Sequence, residues 1–125
     1  FDSGAGSMIY ASAGHDPVMV IGKSAHRHLP TTGPLLGIFE DLLFAERTEP
    51  LGADDLVVLA TDGVTECGVA HGKGPQFGTT GIIRAVASAR NHSPRAARDA
   101  ISRSLDAFAR GSYRDDATIA VLAAG

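Results

Sequence analysis

Leu56, Val57, Val58, Leu59 and Ala60 form an apolar run that stops abruptly at Thr61, Asp62 and Gly63. A strand with one face in water alternates apolar and polar residues, and Asp55–Ala60 does not alternate, so burial on both faces is expected. Upstream, Ser7–Ala13 reads as a strand, "GHDP" as a turn and "VMVI" as a returning strand, which predicts an antiparallel hairpin over Met8–Ile21. Leu29–Gly37 is rich in Pro and Gly and reads as turns, whereas Leu42–Thr48 partly alternates and predicts a further strand.

Beyond Gly63 the pattern changes period. "VTECGVAHGKGPQFG" is broken by glycines and predicts at most a short helix followed by loop. Thr79 or Thr80 is placed to cap a helix carrying Ile82, Ile83, Val86 and Ala89. Ser93 and Pro94 form an N-cap and first-turn pair for a second helix, whose Ala97, Ile101, Leu105 and Phe108 fall on one stripe before Gly111 ends it. "ATIAVLA" predicts a closing strand. Strands, two helices and a final strand fit an α+β fold, an antiparallel sheet with helices on one face.

The 125 residues suit one domain with a core of useful size, and 44% hydrophobic against 20% charged residues is an ordinary globular balance. A net charge of -3 argues against a nucleic-acid grip or an anionic-membrane surface, both of which want a basic face. No apolar run approaches bilayer length. The single Cys67 excludes an internal disulfide framework and suits a reducing, cytoplasmic setting. The chain starts at Phe1 in "FDSGAG", which reads as a piece of something longer.

The candidate chemistry lies at the ends of two apolar strands. Asp62 follows the first, and Asp115 and Asp116 precede the last. A carboxylate at a core edge loses several kcal/mol of hydration unless a positive partner meets it. If the two strands are neighbours, these carboxylates converge, and all-oxygen ligands favour Mg²⁺ or Mn²⁺. By themselves, Asp-Gly after a strand and Asp-Asp before one are also ordinary turn and loop sequences. His15 sits on the hairpin turn, where a bond to backbone is the simpler role. His26 and His28 share a face in extended chain but have no third zinc ligand nearby. "HGKG" at 71–74 lacks a phosphate-loop pattern, Cys67 has no basic neighbour, and the arginines of the two helices read as solvated faces.

In order along the chain, "YASAGHDPVMV", "GPLLGIF", "LGADDLVVLATDGVTE", "QFG" and "RDDATIAVL" resemble the SpoIIE/RsbU branch of the metal-dependent PP2C (PPM) serine/threonine phosphatases. The resemblance covers essentially the whole chain. It implies a PP2C-like α-β-β-α sandwich of antiparallel sheets, here N-terminally incomplete, with residues 1–125 as the C-terminal portion of one domain. The implied chemistry is hydrolysis of a phosphoserine or phosphothreonine by water activated between two Mn²⁺ or Mg²⁺ ions.

By that resemblance Asp62 and Asp115 are the catalytic, metal-binding aspartates, and Gly63 belongs to the metal-binding "DG" pair. Glu66 and Asp116 support the site, and the Gly14–His15 turn lies close to it. Leu36–Gly37 and Val64–Gly78 fall in a regulatory switch region. The family's first metal-bridging Asp stretch has no match here, and that role is not carried to Asp2. The resemblance further implies a phosphoprotein substrate, of which a STAS-type anti-sigma-factor antagonist is the expected kind. It also implies a role in bacterial sigma-factor or stress signalling, and a fragment of low activity. Exposed apolar sheet surface would offer a route to a homodimer. A non-catalytic PPM-like module that binds a partner protein is the alternative.

Overall fold

The computed structural model of the chain describes residues 6–68, 74–89 and 91–123. Six strands and three helices follow one another as β1 (Ser7–Tyr10), β2 (Val18–Ile21), β3 (His26–His28), β4 (Arg47–Pro50), β5 (Leu56–Ala60), α1 (Asp62–Thr65), α2 (Gly78–Ala87), α3 (Pro94–Ala109) and β6 (Ile119–Ala123). One sheet has the order β3-β2-β5-β6, and a second, two-stranded sheet pairs β1 with β4. All of these pairings are antiparallel.

The unbroken apolar strands are sandwiched, as their lack of alternation predicts. Met19 and Ile21 of β2 join Leu56, Val58 and Ala60 of β5 in a core with Ile82, Ala85 and Val86 of α2 and Ala97, Ile101 and Leu105 of α3. Val18, Val20 and Val57 face the other way and meet Leu29, Leu51 and the side chains of Met8 and Tyr10 from β1. Successive residues of a strand point to opposite faces, so four or five residues each supply two layers. The result is sheet on sheet on helices.

The expected β1–β2 hairpin does not form. Both edges of β2 are occupied, by β3 and by β5, so β1 has no edge to join. Instead β1 crosses to the second sheet and pairs with β4, Ser7 opposite Pro50 and Tyr10 opposite Arg47. The strand expected over Leu42–Thr48 also moves, to Arg47–Pro50. Residues just before it are engaged elsewhere: Ala45 N–H donates to Thr32 O at 3.2 Å. The Phe44 ring covers Gly33, where a Cβ would lie 2.4 Å from its Cδ1.

The helices follow their sequence signals unequally. Ser93 caps α3, its Oγ accepting from Ala96 N–H at 3.3 Å, with Pro94 in the first turn. Arg110 takes the left-handed conformation at the other end (φ 49°) and Gly111 follows at φ 78°. Neither Thr79 nor Thr80 caps α2: the cap is Phe77, with no side-chain bond. Phe77 is fixed by burial, by an edge-to-face contact with Phe108 at 5.7 Å between centroids, and by its N–H donating to Cys67 O at 3.0 Å. Its carbonyl then accepts the first helical bond, from Gly81 N–H at 2.9 Å.

Arg27 of β3 ties the two sheets together. Its Nε donates to Glu49 of β4 at 2.5 Å, and its guanidinium reaches Pro50 O at 2.5 Å and Asp55 Oδ2 at 3.4 Å. Glu49 and Asp55 are mostly buried, with side chains 18% and 16% exposed. Removing the cation leaves two sheltered carboxylates unpaired, so Arg27→Ala should destabilise the fold by about 1–3 kcal/mol, where an exposed pair would give under ~1. Urea unfolding followed by circular dichroism checks this, with the exposed Lys23–Asp54 pair as comparison. Among the described residues no helix is long and apolar enough to cross a membrane.

Candidate metal centre

The pairing of β5 with β6 places the sequence-predicted carboxylates at one sheet edge. Ala60 lies opposite Ile119. One residue beyond, Thr61 N–H donates to Thr118 O at 3.1 Å, and Thr118 N–H donates to Thr61 Oγ1 at 3.0 Å. The Thr61 hydroxyl in turn donates to Asp116 O at 3.1 Å. Thr61 therefore stitches the loop ahead of β6 to the end of β5. Asp62 opens α1, and Asp115 and Asp116 lie near the end of the loop ahead of β6.

Gly63, in α1, shows how closely that helix and the loop ahead of β6 approach. A Cβ there would lie 2.4 Å from Asp116 O, 2.8 Å from Asp116 C and 3.2 Å from Asp115 O. All three atoms are backbone, so only glycine fits without moving the loop. Gly63 N–H donates to Asp62 Oδ1 at 2.9 Å, and Asp115 Oδ1 accepts from Asp116 N–H at 2.7 Å. Each carboxylate thus has one oxygen held by the adjoining backbone. The side chains of Asp62, Asp115 and Asp116 are in no ion pair among the described residues.

Glu66 lies one turn beyond Asp62, and its N–H donates to Asp62 O at 2.7 Å. The Gly14–His15 turn reaches the same end of the sheet, since Pro17 O accepts from Ala60 N–H at 3.4 Å. Gly14 is left-handed at φ +86°, and a Cβ there would strike Leu35 at 2.2 Å. His15 is exposed, and its carbonyl accepts from the Ser12 hydroxyl at 3.3 Å. His26 and His28 lie exposed on β3, an edge strand. Leu36 and Gly37 stand on an exposed loop, and Leu36 is 72% exposed. Asp2, His71 and part of the expected switch region lie outside the described residues.

The donor set is carboxylate oxygen, which suits a hard divalent ion. Its number falls short: among the described residues no three His, Cys, Asp or Glu side chains group as a metal cage. These loops therefore fit part of a metal site.

Sequence reasoning missed Thr61, Asp106 and Tyr113. Thr61 had a visible signal, a hydroxyl directly before the Asp-Gly pair with Thr118 at the matching place before β6. Tyr113 had none, since its hydroxyl donates to an Asp106 carboxylate oxygen across the end of α3. That bond, with burial and the Asp106 charge adding to it, pushes the Tyr113 phenol up to about 12. A raised phenol pKa contributes stability that is complete below pH ~10 and is lost as pH rises toward about 12. Spectrophotometric titration should show one of the two tyrosines ionising late, and Asp106→Ala should return it toward ~10. Cys67 is buried, and burial raises its thiol pKa, so it is an unreactive packing residue.

The model of the family described as Stage II sporulation protein E (SpoIIE) matches residues 1–124. The chain belongs to the SpoIIE family. Over 65 residues, half of this chain and 19% of the relative, it is 37% identical to the phosphoserine phosphatase RsbU of Bacillus subtilis. Among solved structures it is similar to the RsbU and RsbW domains of Rv1364c from Mycobacterium tuberculosis. There the identity is 28% and the TM-score 0.66, over 93% of this chain and 32% of that one. It is also similar to the PP2C phosphatase domain of SpoIIE from Bacillus subtilis, at TM-score 0.74 and 19% identity over 92% of this chain and 34% of that one. The same Bacillus domain, presoaked with Mn, matches at TM-score 0.66 and 18% identity, over 94% of this chain and half of that one. The SpoIIE-family chain thus has the PP2C-domain fold over its described residues. It spans about a fifth of the length of RsbU and a third of the Rv1364c chain.

Proposed function

We propose that this SpoIIE-family chain is the C-terminal portion of a metal-dependent protein serine/threonine phosphatase domain acting in bacterial sigma-factor or stress signalling. The observation that carries the reading is the β5–β6 register, which brings α1, opened by Asp62, against the loop that carries Asp115 at one sheet edge. Family membership and the PP2C-domain fold agree with it. Asp62 and Asp115 would hold the metal together with the Gly63 loop. When bound, Mn²⁺ or Mg²⁺ would supply an activated water and charge for the phosphate oxygens.

The chain's own residues fix the loops and keep the carboxylates ready. Gly63 lets the two loops meet, Thr61 locks them, and Glu66 and Asp116 extend the negative face that attracts a cation. Gly14 and His15 lie on the turn that leads into β2 at this end of the sheet. The phosphoserine specificity of RsbU suggests a phosphoserine protein as substrate, with a STAS-type anti-sigma-factor antagonist as the proposed kind. A cytoplasmic location follows from that partner.

The test is turnover by the parent protein that carries this module. A phosphoserine protein should be dephosphorylated with Mn²⁺ and not with EDTA, and Asp62→Asn should abolish turnover while the fold persists. Metal-independent turnover, or none with an intact partner complex, would contradict it. The second outcome would support a partner-binding module without catalysis. That reading is favoured by the fact that, among the described residues, no three His, Cys, Asp or Glu side chains group as a metal cage.

A further inference from the structure

The segment Gly111–Thr118, which carries Asp115, is exposed throughout and has no regular structure. At its far end it is tied by the three bonds between Thr61 and Asp116–Thr118. At its near end Ser112 N–H donates to Ala109 O at 2.9 Å. The other near-end tie is the Tyr113 hydroxyl on Asp106.

Asp106 also closes α3 just ahead of the segment, its backbone carbonyl accepting from Arg110 N–H at 3.1 Å. Asp106, Tyr113, Asp115 and Asp116 line one depression of about 440 Å³ together with Leu105 and Ile119. Between the two anchors stand only Arg114 and Asp115. A tether two residues away restricts where the Asp115 carboxylate can travel, and a metal ligand held in place binds more tightly than one that must be ordered on binding.

We propose that the Tyr113–Asp106 hydrogen bond is a strut that sets the position of Asp115, which makes Tyr113 a positioning residue for the metal-binding loop. The inference rests on the assignment of Asp115 as a metal ligand. Loss of the strut lets the loop swing from its Thr61 end without unfolding the core, because Tyr113 is 44% exposed and packs in neither core cluster.

The experiment uses the whole chain with Tyr113→Phe, Asp106→Ala and Asp106→Asn, the last keeping an acceptor oxygen for the phenol. Backbone ¹⁵N order parameters at Arg114–Asp116 are measured without metal, Mn²⁺ affinity by calorimetry, and Tm alongside. Tyr113→Phe and Asp106→Ala should each lower the order parameters and weaken Mn²⁺ binding about fivefold, the equivalent of one ordinary hydrogen bond. The double variant should add nothing further, Tm should hold within a few degrees, and Asp106→Asn should restore both readouts. Unchanged order parameters in Tyr113→Phe would overturn the strut, as would an Asp106→Asn chain as mobile as Asp106→Ala. A parent chain that takes up no Mn²⁺ would remove the metal role of Asp115 and with it the positioning role of Tyr113, whatever the mobility of the loop.

Discussion

Gly63→Ala is expected to lower stability by about 1–3 kcal/mol and to weaken Mn²⁺ binding more than any core substitution of equal cost. The added methyl has no flexible side chain to displace. It would meet backbone atoms of Asp116 at 2.4 and 2.8 Å and of Asp115 at 3.2 Å. Relief requires the loop to retreat from α1. Retreat stretches the bonds from Thr61 to Asp116 O and Thr118 N–H and separates Asp115 from the Asp62 end of α1. Melting temperature and Mn²⁺ calorimetry on the same preparation check both halves. A variant with the parent's Tm and affinity would mean that the loops do not touch as described.

Ile101→Ala should have the larger effect on stability, about 2–5 kcal/mol. Ile101 is fully buried on α3, in the cluster shared with β2, β5 and α2. Truncation leaves a cavity lined by strands that are themselves held from the opposite face, so collapse around it is restricted. A domain of this size has about 5–15 kcal/mol in total, and the substitution removes a large part of it. Leu122→Ala provides the contrast. Leu122 is 53% exposed on β6, and its truncation should change stability by no more than ~0.5 kcal/mol. Urea midpoints measured by circular dichroism separate the two, and similar midpoints would contradict the layer assignment.

Much of this fold was legible because its strongest signals are local. The unbroken Leu56–Ala60 run implied burial on both faces, and it separates the two core clusters. Ser93–Pro94 and the Ala97, Ile101, Leu105 stripe announced α3, since capping and helical period depend on neighbours in sequence. Long-range pairing was less legible. The turn between Tyr10 and Val18 suggested a hairpin, but edge availability decides which strands pair, and β2 had none to offer. The start of α2 was misread at Thr79 and Thr80 because Phe77 is fixed by packing against Phe108 and by Cys67, contacts that no local propensity encodes.

The candidate site divides in the same way. Asp62 stood out as a charge ending one apolar run and Asp115 as a charge just ahead of another, and the strand pairing brings α1 and the loop ahead of β6 together. The closeness of Gly63 to Asp116 and the Tyr113–Asp106 bond depend on how loops cross in space, and a single sequence carries no period for that.

The most direct test is calorimetric titration of the chain with Mn²⁺, beside Asp62→Asn and Asp115→Asn. Saturable binding in the parent that is lost in both variants is the predicted result, since each loop supplies one of the two carboxylates. Binding that survives either substitution, or no binding by the parent, would contradict a metal site shared between the two loops.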